Sequence, residues 1–447
     1  MKQFNHIYFI GIGGISMSSL AELMLDEGIK ISGSDRTSSH ITKKLEKLGV
    51  KVFPSHEGIN ITPDIDLVVY TSAISNDNPE LLKAQELNLH IMDRAEFLGF
   101  VMKKFNNSIC VSGTHGKTTT TGMLSSVLIE TELEPTIFLG GEMDSIGGNF
   151  KKGSLNMLVT EACEYKRNFL KFNPTMELIL NIEEDHLDYY KDLKDIENAF
   201  EEYANIIPET GHLIVNVENK HLFNNVKCKV ITFGLTEEAD YYASNINNFP
   251  TPSFDLMFEG KKIMDINLNV FGEHNILNSI ATAAACLMLG VDEKIIKKGL
   301  ENFKGTHRRY EFKCTYKNAA VIDDYAHHPT EMKTTLKTAR NYSNGKIITV
   351  FQPHTYTRTK SLLNDFAKAL QLSDKTILLD IYAAREKDTG MVHSKDLLNK
   401  VLELNADCVY AESFEEAASF IKNVVQEGDT VITMGAGNVN KVIEYLN

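Results

Sequence analysis

Short apolar runs alternate along this chain with stretches in which apolar positions recur every three or four residues, as expected for strands interleaved with amphipathic helices. Near the start, Ile7–Ile10 predicts a strand, Gly11-Ile12-Gly13-Gly14-Ile15-Ser16 a turn, and the stretch through Leu25 a helix. Ile29–Ser32 predicts a second strand, the spacing of Ile41, Leu45 and Leu48 a helix with one apolar face, and Ile65–Tyr70 a third strand. The polar stretch Lys103–Asn107 separates this unit from the next. The second unit opens with the strand Ile109–Val111, the turn Gly113–Thr121 and a helix rich in Leu and Met, and it continues with strands at Met157–Thr160 and Leu178–Ile182. From Thr236 to Val270 the pattern has strand period and few helix formers, which predicts antiparallel strands. A third unit starts near Lys313, with strands at Ala320–Ile322, Ile347–Phe351, Thr376–Leu379 and Val431–Met434 between helices. In its last helix Ser413 and Glu416 have capping-box spacing, Phe414, Ala417, Ala418, Ile421, Val424 and Val425 form one stripe, and Gly428 follows the end. Strand–helix alternation of this kind implies parallel sheets covered by helices. The expectation is three α/β domains in series, at 1–106, 107–311 and 312–447.

Composition narrows the function more than the fold. At 447 residues, 43% hydrophobic and 24% charged, the chain has the make-up of a folded globular protein with two or three domains. A net charge of -14 excludes broad, sequence-independent nucleic-acid binding, which needs a basic face. Anionic substrates must then be held by local clusters of Arg, Lys and backbone N–H against the overall field. Six scattered cysteines without a CxxC pair predict reduced core thiols, not disulfides or a metal–thiolate site. The N-terminus runs straight into a strand without a signal-peptide pattern, and no apolar run is long enough to cross a bilayer. A cytoplasmic location without membrane insertion is expected.

The sharpest chemical signal is Gly113-Thr114-His115-Gly116-Lys117-Thr118-Thr119 between a strand and a helix. Glycines let backbone N–H groups approach phosphate, Lys117 supplies a point charge to the β- and γ-phosphates, and Thr118 offers a hydroxyl to Mg²⁺. Two later strands end on Glu161 and near His186. A carboxylate and a neutral imidazole at such ends suit a divalent metal that bridges phosphate and acceptor. Either residue alone is more often an ordinary turn residue; beside Lys117 and Thr118 the metal reading is preferred. Gly11–Ser16, with Asp35 two dozen residues on, predicts a pyrophosphate seat on a helix N-terminus and an acid for a ribose hydroxyl. Such turns are weak signals and do not specify a nicotinamide cofactor.

Taken together, Gly11–Ser18, Gly113–Thr121, Glu161–Glu164, Asn181–His186, Gly272–Asn278, His307–Tyr310, Asp323–Glu331 and Gln352–Lys360 resemble, in order and over the whole chain, the Mur ligases. Asp323–Thr330 and Gln352–Arg358 are similar to the members that add L-alanine. The resemblance implies a Rossmann-like N-terminal domain for a UDP-sugar, a central ATPase domain of phosphate-loop type, and a Rossmann-like C-terminal domain for the amino acid. The central domain would combine a parallel sheet with a smaller antiparallel one. It further implies that Gly13, Gly14, Ser16, Asp35, His56 and Ser72 border the UDP-sugar. Gly113, Thr114, Gly116, Lys117, Thr118 and Thr119 would hold ATP, with Thr118, Glu161 and His186 on Mg²⁺ or Mn²⁺. His274, Asn275 and Asn278 would frame adenine, Arg309 and Asp324 would close on the nucleotide, and His328, His354 and Arg358 would face the amino acid. One departure stands out: Lys166-Arg167-Asn168 follows Glu164 where relatives carry smaller or acidic residues.

The activity so implied joins L-alanine to the lactyl carboxylate of UDP-N-acetylmuramate through an acyl phosphate, in peptidoglycan precursor synthesis, by a monomer or homodimer. Lys117, Mg²⁺ and Arg309 would neutralise charge, Asp324 would assist, and His327, His328 or His354 would take the ammonium proton. Three rivals are weaker. A murein-peptide recycling ligase disagrees with Gln352–Arg358, a nicotinamide oxidoreductase leaves Lys117 unexplained, and a nucleotide switch has no use for a third domain.

Overall fold

The computed structural model describes residues 4–71, 73–187, 189–384 and 386–446. The first sheet contains β1 (His6–Ile10), β2 (Lys30–Ser34), β3 (Lys51–Phe53), β4 (Leu67–Tyr70) and β5 (His90–Asp93), all parallel, in the order β3-β2-β1-β4-β5. Every residue of β1 is buried, as a central parallel strand covered on both faces requires. Strand order reverses between β1 and β4, and this opens a crevice at their C-terminal ends, beside the glycine turn. The helix His40–Lys47 buries Ile41 and Leu45, but Leu48 falls at its C-cap and is exposed, so the predicted stripe is one residue shorter. The short β3 and β5 lay below what periodicity reveals.

The second sheet has ten strands: β6 (Asn107–Ser112), β7 (Thr136–Met143), β8 (Gly148–Lys151), β9 (Met157–Glu161), β10 (Met176–Ile179), β11 (His212–Asn216), β12 (Lys229–Gly234), β13 (Tyr241–Asn247), β14 (Ser253–Phe258) and β15 (Lys261–Asn267). Their order is β15-β14-β13-β12-β11-β10-β6-β9-β7-β8. The antiparallel trio β13–β15 joins the parallel part only through Phe233–Tyr241 and Gly234–Tyr242. The ladder of β10 stops at Ile179, short of the predicted Ile182. Leu180 N there bonds Ser112 O and Asn181 O takes Thr114 N, so the chain turns to brace the glycine turn at 113–116.

The third sheet comprises β16 (Glu311–Tyr316), β17 (Ala319–Asp324), β18 (Ile347–Phe351), β19 (Lys375–Leu378), β20 (Cys408–Tyr410) and β21 (Thr430–Met434). Its order is β16-β17-β21-β18-β19-β20, parallel except for β16. The helix Phe414–Val424 is capped by Ser413, whose side chain accepts from Glu416 N. The reciprocal half of the predicted capping box is absent, because Glu416 takes Glu412 N instead.

The first two domains share one hydrophobic cluster, running from Phe4 and Phe97 through Phe169 to Phe200. The helix Arg94–Met102 lies close against Tyr165–Lys171: a Cβ on Gly99 would fall 1.9 Å from Lys171 O. Among the described residues all six cysteines are unpaired, and no helix is long and apolar enough to cross a membrane.

Candidate active site

β6 leads into the turn 113–116 and the helix Lys117–Leu128. Gly116, at φ 86°, is its N-cap and offers no side chain, so the first N–H groups of the helix face outward as an anion seat. Asn181 holds this loop from the next strand: its Oδ1 accepts His115 N at 2.8 Å and its Nδ2 donates to His115 O at 3.1 Å. Lys117 Nζ donates to Gly113 O at 2.5 Å and Thr114 O at 3.1 Å, and pairs with Glu164 at 3.1 Å. Burial opposes its charge, but Glu164 beside it keeps the ammonium above its ordinary pKa.

Thr118 Oγ1 donates to Glu161 Oε2 at 3.0 Å and accepts from Arg309 Nη2 at 3.3 Å. Glu161, the last residue of β9, also takes Gly140 N at 2.7 Å. A hydroxyl and a carboxylate in contact fit Mg²⁺, which usually takes one or two protein ligands and fills its sphere with phosphate and water. His186, at φ 55°, stands apart from this pair: its Nε2 lies 3.8 Å from Glu164 and 3.7 Å from Asp185, and burial lowers its pKa. Among the described residues no three His, Cys, Asp or Glu side chains converge as a ready cation cluster.

A cavity of about 890 Å³ opens beside the loop, between the second and third domains. Gly116, Thr119, His274, Asn275, Asn278, Arg309 and Asp324 all line it, whereas Lys117 and Thr118 lie at its edge and do not. Its size suits a nucleotide-sized ligand. Asn278 Nδ2 donates to Asn275 Oδ1 at 3.0 Å, and Asn275 Nδ2 donates to Phe271 O at 2.7 Å. Burial pushes the His274 imidazole down to about 4, so it is neutral at working pH. Burial likewise lifts the Asp324 carboxyl to about 6, although Ala326 N, Tyr310 N and Thr335 Oγ1 all donate to it. Arg309 also stacks over the Tyr325 ring, 5.0 Å from its centre.

The third domain brings a second polar group to the same region. Arg358 Nη2 pairs with Asp185 at 3.3 Å and Nη1 meets His354 Nδ1 at 3.4 Å. His354 stacks on Tyr382, and its ring centre lies 5.7 Å from that of His327. His328 is the N-cap of the helix Pro329–Tyr342: its Nδ1 accepts Thr330 N at 3.3 Å, which leaves the proton on a buried, unpartnered Nε2. Burial pushes it down to about 4. It therefore presents a donor, unlike the base the sequence reading had allowed. His327 is arranged the other way, with Nδ1 donating to Tyr325 O at 3.1 Å and facing Glu331 at 3.2 Å, so that in the neutral tautomer the lone pair lies on Nε2.

In the first domain, Gly13 N donates to Asp35 Oδ2 at 3.0 Å and Thr37 N to Asp35 Oδ1 at 2.9 Å. Asp35 thus spends both oxygens on the backbone around the turn. Gly14 caps the helix Ile15–Asp26, and Ser16 Oγ accepts from Arg94. His56 joins a buried network in which Glu80 accepts from Tyr8, Ser34, Asn60 and His56 itself. Ser72 lies outside the described residues. Arg167, in the departing stretch, pairs with Asp195 and Glu202 on the helix Leu193–Ala204, and this gives it a structural task.

Several partners had no individual role in the sequence reading. His115 Nδ1 meets Glu331 at 3.2 Å and its Nε2 lies 3.6 Å from Glu183, linking the 113–116 turn to the third domain. Burial disfavours its charge, but the two carboxylates prevail and raise its pKa to about 9. Asn181, Asp185, Glu331 and Arg94 belong to the same class. Histidine and carboxylates inside matched motifs were the available signal for most of them, and Arg94 had none.

Comparison with known proteins follows the same three-part division. The family model described as "Mur ligase family, catalytic domain" matches residues 6–106, "Mur ligase middle domain" matches 111–286, and "Mur ligase, glutamate ligase domain" matches 308–437. A UDP-N-acetylmuramate–L-alanine ligase of Acetivibrio thermocellus is 50% identical, with 99% of this chain and 96% of the relative covered. One of Clostridium kluyveri is 49% identical, covering 99% and 98%. The crystal structure of the UDP-N-acetylmuramate–alanine ligase of Thermotoga maritima superposes with a TM-score of 0.84 at 31% identity, over 99% of this chain and 98% of that one. A murein peptide ligase of Psychrobacter arcticus, at 24% identity and TM-score 0.77 over 99% and 98% of the two chains, shares the fold. Likeness over nearly the full length, at about half identity and in all three domains, means that the chain belongs to the Mur ligase family.

Proposed function

We propose that this protein joins L-alanine to the lactyl carboxylate of UDP-N-acetylmuramate at the expense of ATP, as a step in making peptidoglycan precursors. The observation that carries the reading is the full-length likeness, at 50% identity, to proteins named for that reaction. In this reading residues 1–106 take the sugar nucleotide, 107–311 take ATP and 312–447 take the amino acid. A carboxylate oxygen attacks the γ-phosphorus and ADP leaves. The amine of alanine then attacks the acyl carbon, and inorganic phosphate departs from the tetrahedral intermediate.

The chain's own groups fit these steps. The 113–116 turn and Lys117 hold the β- and γ-phosphates, and Arg309, already at Thr118, neutralises charge that develops on the moving phosphoryl group. Thr118 and Glu161 would hold Mg²⁺, with His186 near; the ion when bound supplies further charge neutralisation. His274, Asn275 and Asn278 face adenine, and Asp324 orders the Arg309–Tyr310 corner. Arg358 receives the alanine carboxylate through its planar fork. Of the three candidate bases His327 fits best: its neutral ring would carry the lone pair on Nε2, whereas His328 presents a proton and His354 turns Nδ1 toward Arg358.

Phosphate release tests the proposal. It should require ATP, UDP-N-acetylmuramate and L-alanine together. Turnover with D-glutamate in place of alanine, or only with a peptide, would reject it.

A further inference from the structure

The hairpin β7–β8 of the second domain touches the Thr118–Glu161 pair with one strand and the first domain with the other. On the β7 side, Phe138 pairs with Thr160 of β9, and just past that ladder Gly140 N donates to Glu161 Oε1 at 2.7 Å. The approach is close: a Cβ at 140 would fall 2.5 Å from the same oxygen, and one at 141 would lie 3.1 Å from Thr118 Cγ2. This end of β7 is therefore a wall of the Thr118–Glu161 pair.

On the β8 side, Asn149 reaches into the first domain. Its Nδ2 donates to Ile15 O at 2.7 Å and to Ser19 Oγ at 2.6 Å, with Ser18 Oγ 3.4 Å away. Asn149 is 4% exposed and both serines are fully buried, so water does not compete for these bonds. Ile15 is the first residue of the helix Ile15–Asp26, directly after the Gly11–Gly14 turn. Apolar packing joins the same faces, since Phe138 and Phe150 stack within the cluster that holds Leu20, Leu23 and Met24. Such packing is non-directional and tolerates sliding, whereas short hydrogen bonds fix register. We propose that Asn149 is a positioning residue, which sets the register of the first-domain glycine turn against the Thr118–Glu161 pair. It thereby sets the distance between the acceptor carboxylate of the sugar nucleotide and the phosphoryl group. It acts through the helix and the hairpin, not on a ligand. The role rests on the proposed reading of the first domain as the sugar-nucleotide domain.

Steady-state phosphate release and calorimetry on the full-length protein test it. Asn149→Ala should lower kcat roughly 10–100-fold, because a misplacement of about 1 Å can cost about 10²-fold. The separate affinities for UDP-N-acetylmuramate and for ATP should stay within about threefold, which splits kcat from binding. Ser19→Ala, which removes one acceptor on the helix side, should lower kcat less, and the double variant should be no slower than Asn149→Ala alone. Lys152→Ala controls for general loosening of the seam. It breaks the pairing of Lys152 with Glu27 at the far end of the same helix, and kcat should hold. Additive losses in the double variant overturn the proposal, because the two side chains then do not act as one contact. A fall in UDP-N-acetylmuramate affinity as large as the fall in kcat overturns it too, as does a lowered Tm with kcat intact. Slowing by Lys152→Ala equal to that by Asn149→Ala has the same meaning. Should Asn149→Ala not fold, Ser19→Ala decides alone, and an unchanged kcat there overturns the role. If wild type binds no UDP-N-acetylmuramate, the domain reading falls, and the role of Asn149 with it.

Discussion

Replacing Lys117 by Ala separates what this side chain does for the fold from what it does for phosphoryl transfer. The ammonium is 18% exposed and its partner Glu164 only 4%, at 3.1 Å. Removing one partner of a buried ion pair costs about 3–5 kcal/mol, because the other charge is left in place. Lys117 is not fully buried, so water that enters its place solvates part of the remaining charge, and about 2–4 kcal/mol is expected. At roughly 2–4 °C per kcal/mol for a domain of this size, the Tm of the middle domain should fall by about 4–16 °C. The rate should fall further, since one lost donor to developing transition-state charge typically costs about 10²–10³ in kcat. Lys117→Ala combined with Glu164→Gln then divides the two effects, because the neutral amide no longer needs a cation. Differential scanning fluorimetry should show Tm restored in the double variant, while the phosphate-release assay stays slow. UDP-sugar affinity should remain near wild type in both. Recovery of rate together with Tm would show that Lys117 acts through the fold alone, and a matching collapse of UDP-sugar affinity would refute the division of labour between domains.

Glu161→Ala and His186→Ala should each raise the Mg²⁺ concentration needed for half-maximal activity, with Glu161 the larger effect because it alone touches Thr118. Unchanged titrations in both variants would remove the proposed ligands. The His115–Glu331 contact should make stability depend on pH. The folded pKa of His115 is raised from 6.5 to about 9, so its contribution is complete below pH 6.5 and disappears as pH rises through 9. The Tm gap between wild type and Glu331→Gln should therefore narrow over that interval, and a constant gap would deny the coupling. Alanine should exceed glycine by only about 10–200-fold in kcat/KM, which is what one methyl group can supply. Arg358→Lys should raise the KM for alanine far more than that for ATP; parallel rises would place Arg358 elsewhere.

Much of this protein can be read directly along the chain, for a definite physical reason. The proposed phosphate loop is contiguous because such a loop works through successive backbone N–H groups of one turn, so its glycines, Lys117 and Thr118 must be neighbours in sequence. The place of Glu161 at a strand end was legible because Met157–Thr160 announces a parallel strand, and ligands gather at the C-terminal ends of such strands. Periodicity also located the three α/β units, since burying one face leaves a regular imprint on composition. It failed where elements are short or serve another element. The stretch Leu180–Ile182 is apolar like a strand but bends to hold the loop, and Leu48 keeps helical spacing after the helix has ended. Tertiary structure alone decided which charged groups meet. Asp185 finds Arg358 at a separation of 173 residues, and His115 finds Glu331 at 216. Such pairs join side chains from different domains that lie far apart in the chain, so no local pattern records them. The same holds for the tautomers of His327 and His328, adjacent in sequence and opposite in proton placement, because one lies against a carbonyl and the other caps a helix.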